Sequence, residues 1–173
     1  MKKHIISQMH NALPLGNRIQ FILTGGAPIS EQMLEFLSNV FNVPILNGYA
    51  TTETGTISVN NKIVPNIDVI LEPLQGQDTL KNTSNTSKSG EICVCSSTLT
   101  IGYYNMEKQF NEKNFLMRNN KKYFRTGDIG EINQDGDIVI VDRIKSVFKL
   151  SQGEFIFPER LEALYESCTA VDQ

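Results

Sequence analysis

Two periodicities run along the chain, and the change from one to the other divides it. Residues 18–23 (RIQFIL) form a short apolar run ending at Thr24-Gly25-Gly26, a pattern that predicts a buried strand closed by a tight loop. Ser30 is suited to cap a helix, with Glu31 and Gln32 in its first turn. Met33, Leu34, Leu37, Val40 and Phe41 then fall on one helical stripe. Residues 43–46 (VPIL) predict a second buried strand running into Gly48. Strand, helix and strand together imply a parallel unit with a right-handed crossover, at one edge of a larger α/β layer.

From about residue 58 the pattern turns to short β-like runs at 67–71, 91–95, 128–132 and 137–141. The last two flank Asn133-Gln134-Asp135-Gly136, a hairpin signal in which Gly136 can take positive φ. This part is expected to be mainly antiparallel and partly barrel-like. Residues 75–89 (QGQDTLKNTSNTSKS) are nearly devoid of apolar side chains, so burial cannot offset their ordering entropy and a mobile surface loop is expected. A last helix is predicted from Pro158, with Leu161, Leu164, Tyr165 and Cys168 as its stripe. Since that stripe has nothing after it to pack on, continuation beyond Gln173 is expected. The fold class is therefore α/β, in three stretches: residues 1–57, a β region at 58–142, and a hinge and start of a small α/β domain at 143–173.

Composition narrows the function without naming it. A length of 173 residues, 40% hydrophobic and 20% charged, suits a globular unit, and a net charge of −3 gives no reason to expect nucleic acid as partner. No apolar run approaches the roughly 18 residues of a membrane span, and the start MKKHIISQMH lacks the apolar stretch of a secretory signal. A cytoplasmic setting, or the cytosolic face of a membrane, is expected. Of three cysteines, Cys93 and Cys95 alternate on one strand face with no further metal ligand nearby, which favours buried free thiols in a reducing compartment. His4 and His10 read as surface residues or as contacts to upstream chain, and Tyr103, Tyr104 and Phe110 as packing of the β region.

Three segments carry candidate chemistry. Thr24-Gly25-Gly26-Ala27-Pro28 follows a strand, where glycines let a flat or anionic ligand approach bare backbone. Asn47-Gly48-Tyr49-Ala50-Thr51-Thr52-Glu53-Thr54 offers an amide, an aromatic face, hydroxyls and a carboxylate, the groups that adenine, phosphate and Mg²⁺ require. Tyr123-Phe124-Arg125-Thr126-Gly127-Asp128-Ile129-Gly130 and Asp142-Arg143-Ile144-Lys145 place a carboxylate and a guanidinium at hairpin ends, where both can reach a ribose diol. Taken singly, each also reads as a plain turn or surface charge.

In this order, TGGAP, NGYATTET, YFRTGDIG and DRIKSVFKLSQGEFIFPERLE resemble successive motifs of the adenylate-forming superfamily, which includes acyl-CoA synthetases, luciferases and peptide-synthetase adenylation domains. The resemblance spans the chain except 58–66 and 75–89. The run Lys149-Leu150-Ser151-Gln152-Gly153-Glu154-Phe155 is similar to the long-chain fatty acyl-CoA synthetase signature. What this implies is an ATP-dependent fatty acid–CoA ligase acting through acyl-AMP, with ATP, Mg²⁺, CoA and a fatty acid as ligands.

By the same resemblance, Gly25, Gly26 and Ala27 form a backbone wall against adenine, Asn47 contacts its amine, and Tyr49, after Gly48, covers its other face. Thr52 holds the α-phosphate and Glu53 ligates Mg²⁺. Asp128 binds the ribose hydroxyls with help from Arg143, and Lys145 lies on a domain hinge. Lys149 and Gly153 line a surface presented in one of the two rotational states. Ala50 stands where the family has glycine, which strains the loop if φ there is positive. The superfamily's phosphate loop and its C-terminal lysine are not among these residues, so a fragment inactive by itself is expected. Two other readings stay open: an enzyme adenylating an amino or aryl acid, and an AMP-binding module without catalysis.

Overall fold

The computed structural model describes residues 18–74, 88–152, 155–166 and 168. Two larger sheets, a separate two-stranded sheet and three helices are formed within these residues. The first sheet orders β1 (Ile22–Gly25), β2 (Ile45–Thr51), β3 (Gly55–Val59) and β4 (Lys62–Ile63), with α1 (Glu31–Phe41) between β1 and β2. β1 and β2 are parallel, Ile22 opposite Ile45, as the strand–helix–strand pattern predicts. Ser30 caps α1 by accepting the Met33 N–H at 3.2 Å, and Asn42 ends it in the left-handed conformation. Val40 is the buried residue of the stripe, whereas Met33 is exposed.

Strand boundaries differ from the apolar runs. β1 starts at Ile22 rather than 18, because pairing begins only where β2 begins; Ile19 and Phe21 stay exposed. It also runs on through Thr24 and Gly25, which pair with Asn47 and Gly48. β2 likewise continues through the polar Asn47-Gly48-Tyr49-Ala50-Thr51, since β3 folds back on it in an antiparallel hairpin. Ladder hydrogen bonds are backbone bonds, so polar side chains do not end a strand that has neighbours.

The second sheet orders β5 (Asp68–Glu72), β6 (Lys88–Cys95), β8 (Lys121–Ile132) and β7 (Phe115–Arg118), with β9 (Ile138–Arg143) also on β8. It is antiparallel throughout, and among the described residues neither sheet closes into a barrel. Helix α2 (Lys108–Asn114) leads into β7. Asn119 and Asn120, both at positive φ, turn β7 into β8. Gly136 takes the predicted positive φ (80°) in the β8–β9 hairpin. Lys88 and Ser89 belong to β6 and not to a loop, and the remainder of the expected loop lies outside the described residues.

The sheets share a core of Ile57, Ile92, Val94 and Ile138, against which Tyr49, Ile63 and Val69 pack. The Ile138 N–H donates to the Asn61 carbonyl, and Lys62 pairs with Asp137 at 2.5 Å, joining the β3–β4 hairpin to the foot of β9. Cys93 is buried, Cys95 half-buried and Cys168 exposed, all free thiols. Burial pushes the Cys93 thiol up to about 12. Beyond β9, β10 (Phe148–Lys149) pairs with β11 (Phe155–Ile156), followed by α3 (Pro158–Glu166). The predicted stripe of α3 is exposed at Leu161, Leu164, Tyr165 and Cys168. No helix among the described residues is long and apolar enough to cross a membrane.

Candidate active site

Tyr49 leaves β2 toward the second sheet, where its hydroxyl donates to Asp128 Oδ2 at 2.7 Å, linking residues 79 positions apart. Burial, reinforced by the negative Asp128, holds the phenol far above its ordinary range, so it stays a donor. Asp128 is nearly buried in β8. Its backbone N–H donates to Thr126 Oγ1 at 3.0 Å, and the Thr126 hydroxyl donates to the Ile92 carbonyl at 2.9 Å. Gly127, at φ 75°, sits between them and permits this turn. Register on β8 and β9 pairs Asp128 with Arg143, whose Nε stands 3.5 Å from Asp128 Oδ1. That guanidinium is largely exposed, so the pair adds little stability, but it leaves a donor beside the carboxylate. Asp128, Arg143 and Tyr49 thus converge from three motifs.

The glycine segment lies across β1 and β2. A Cβ on Gly25 would sit 2.3 Å from the Gly48 carbonyl oxygen, so only glycine permits this strand approach. Gly26 takes φ 90°, and Ala27 is exposed beside it. Asn47 is half-buried; its N–H donates to Asn60 Oδ1 at 2.8 Å and its carbonyl accepts the Asn60 N–H at 2.7 Å. Ala50 is not at positive φ, so the alanine creates no strain.

Residues 52–54 form the turn from β2 to β3. Thr52 is exposed, and its hydroxyl makes no hydrogen bond among the described residues. Thr54 is buried; its N–H donates to Thr51 Oγ1 at 3.2 Å, and its carbonyl accepts the hydroxyls of Ser96 (3.0 Å) and Thr98 (2.6 Å). Glu53 Oε1 accepts the Tyr103 hydroxyl at 2.6 Å. Tyr103 packs edge-on to Phe110, as its aromatic neighbours predict, yet its hydroxyl reaches a candidate metal ligand; Tyr104, by contrast, is 97% exposed and packs nothing. Burial, then the hydrogen bond to Glu53 and its charge, pushes the Tyr103 phenol up to about 12. No group of three or more His, Cys, Asp or Glu among the described residues could hold a metal alone. A single carboxylate beside the exposed Thr52 hydroxyl still fits Mg²⁺, which is commonly held by one or two carboxylates and a substrate's phosphates.

Lys145 is exposed in the turn after β9, where the Ser146 and Val147 N–H groups donate to the Arg143 carbonyl at 3.0 and 3.2 Å. The backbone of Lys149 lies in β10; Gly153 is outside the described residues. Asp142, which opens the Asp142-Arg143-Ile144-Lys145 segment but was given no role of its own, is fully buried. Its Oδ1 accepts the Arg143 N–H at 2.6 Å and its Oδ2 the Glu159 N–H at 3.0 Å, tying β9 to the first turn of α3. Thr126 was legible as a hydroxyl two residues before Asp128, a common local turn. Tyr103 and Asp142 carried no such local signal.

Residues 2–104 match the family described as AMP-binding enzyme. The chain is 37% identical over 172 residues to long chain acyl-CoA synthetase 3 of Arabidopsis thaliana, covering 91% of this chain and 24% of that protein. It therefore spans about a quarter of the length of such curated relatives. Its fold matches the adenylation domain of a carboxylate reductase from Mycobacterium chelonae, with TM-score 0.79, 26% identity, and 99% of this chain and 26% of that one covered. It also matches the A-PCP didomain of a carboxylic acid reductase from Segniliparus rugosus in complex with AMP, with TM-score 0.77, 29% identity, and coverage of 94% and 22%. Matching that family over more than half its length, and carrying its motifs in order, the chain belongs to the AMP-binding enzyme family, within the adenylate-forming superfamily.

Proposed function

We propose that the chain is the adenylate-binding segment of an ATP-dependent long-chain fatty acid–CoA ligase. The observation that carries this is the meeting of Tyr49, Asp128 and Arg143, which brings an aromatic ring, a carboxylate and a guanidinium from three motifs to one place. The long-chain assignment adds the Gln152-Gly153-Glu154 run and the names of relatives such as long chain acyl-CoA synthetase 3.

In this reading the fatty carboxylate attacks the α-phosphorus of ATP. The acyl–O–P bond forms, the bond between the α and β phosphates breaks, and pyrophosphate leaves. The CoA thiolate then attacks the acyl carbonyl and AMP departs with the bonding pair. Asp128 accepts hydrogen bonds from the ribose hydroxyls, with Arg143 beside it. Asn47 and the Gly25–Gly26–Ala27 backbone face the adenine, covered on its other side by Tyr49. Thr52 donates to the α-phosphate. Glu53 holds Mg²⁺, which supplies neutralisation of phosphate charge when bound. Lys145 is the hinge between the stretch ending at residue 142 and the one beginning at 143. Lys149 and Gly153 keep the role the motif resemblance implies for them, in one of the two rotational states.

Pyrophosphate release by the full-length enzyme carrying this segment, with palmitate against amino and aryl acids, is the test. Preference for palmitate by at least tenfold in kcat/KM is expected. Preference for an amino or aryl acid would overturn the long-chain reading, and AMP binding without pyrophosphate release would leave a binding module.

A further inference from the structure

We infer that Tyr103 is the residue that positions Glu53 for a divalent cation, an inference that rests on the role proposed above for Glu53. The Tyr103 hydroxyl donates to Glu53 Oε1 at 2.6 Å, which leaves Oε2 for a metal. A carboxylate on a three-residue turn has rotational freedom that a hard cation, demanding near-ideal geometry, does not tolerate. Here that freedom is removed from both ends. The Glu53 carbonyl accepts the Thr100 N–H at 2.8 Å, and the next carbonyl, that of Thr54, accepts the hydroxyls of Ser96 and Thr98. Tyr103 is itself fixed. Its N–H donates to Asn111 Oδ1 at 2.8 Å, and its ring lies 5.3 Å from that of Phe110 and 6.3 Å from that of Phe115. Segment 96–103 therefore grips the turn by backbone and side chain, and α2 anchors the grip. Groups that hydrogen-bond to a metal's ligands commonly change metal affinity by about 10–100-fold when removed.

The test uses the full-length enzyme carrying this segment, with Mn²⁺ as a paramagnetic probe beside a non-hydrolysable ATP analogue. Tyr103→Phe keeps both ring contacts and removes only the hydroxyl. Its Mn²⁺ dissociation constant is expected to rise about tenfold, as is the Mg²⁺ concentration for half-maximal pyrophosphate release, while KM for the fatty acid stays within twofold. Glu53→Gln should weaken Mn²⁺ binding at least as much, and the double variant no further than Glu53→Gln alone. An unchanged or tighter Mn²⁺ constant in Tyr103→Phe overturns the inference while a defect in Glu53→Gln preserves the metal role. Unchanged binding in Glu53→Gln overturns both. If Tyr103→Phe does not fold, Asn111→Ala, which loosens Tyr103 without touching Glu53, must move the Mn²⁺ constant in the same direction or the inference fails.

Discussion

Replacing Asp142 by asparagine should release helix α3 from β9 while leaving the second sheet intact. Asp142 is fully buried, and its two oxygens accept separate backbone donors, Arg143 N–H at 2.6 Å and Glu159 N–H at 3.0 Å. Asparagine offers one carbonyl oxygen and an NH₂ group, so one of those N–H groups would face another donor. A hydrogen bond to a charged group contributes roughly 1.5–3 kcal/mol. At about 1.4 kcal/mol per factor of ten, that corresponds to roughly ten- to a hundred-fold more frequent local opening. Amide hydrogen exchange read by mass spectrometry over residues 155–166, with 121–132 as internal reference, measures it. Opening rates in α3 should rise by that factor and those in β8 should not. A change below about threefold in α3 would refute the reasoning, since the bond would then hold nothing together. An equal rise in both segments would refute it differently, by showing that Asp142 supports the whole fold.

Asp128→Ala should raise KM for ATP by roughly ten- to a hundred-fold and KM for the fatty acid far less, because charge-assisted hydrogen bonds to the ribose diol are lost. Comparing ATP with 2′,3′-dideoxy-ATP checks this, and a variant that still strongly prefers the diol would exclude Asp128 as its partner. Lys145→Pro should impair thioester formation more than adenylation, since proline at that place in the turn fixes φ and drives Ile144 toward extended geometry. Single-turnover assays started with ATP plus fatty acid, or with acyl-AMP plus CoA, separate the two steps; equal loss in both would point to misfolding. Glu159→Gln should stabilise the protein at neutral pH, because burial, then the neighbouring Asp142, raises the Glu159 carboxyl above its ordinary range. For an acid raised in the folded state, stability is fully present below the unfolded value and lost as pH rises through the folded one. The gain should therefore vanish in acid, and thermal melts at several pH values would contradict it if the difference persisted there.

Local pattern alone was enough to place several elements. The stripe Leu34, Leu37, Val40 with Ser30 before it specifies α1, because capping and helical periodicity act within a few residues. Asn133 to Gly136 specifies the β8–β9 turn for the same reason, Gly136 supplying the positive φ. The family resemblance was legible too, since ordered motifs survive in sequence even where their contacts are invisible. Strand extents were not: β2 runs through Asn47-Gly48-Tyr49-Ala50-Thr51 only because β1 and β3 complete its backbone hydrogen bonds on both sides. Nor could periodicity foresee that Tyr49 bonds Asp128, that Tyr103 bonds Glu53, or that Asp142 holds the Glu159 N–H. These contacts join residues 79, 50 and 17 positions apart, and no local rule specifies them. They form because packing the two larger sheets around Ile57, Ile92, Val94 and Ile138, and docking α3 on β9, brings polar groups within bonding distance, where leaving them unpaired would cost free energy.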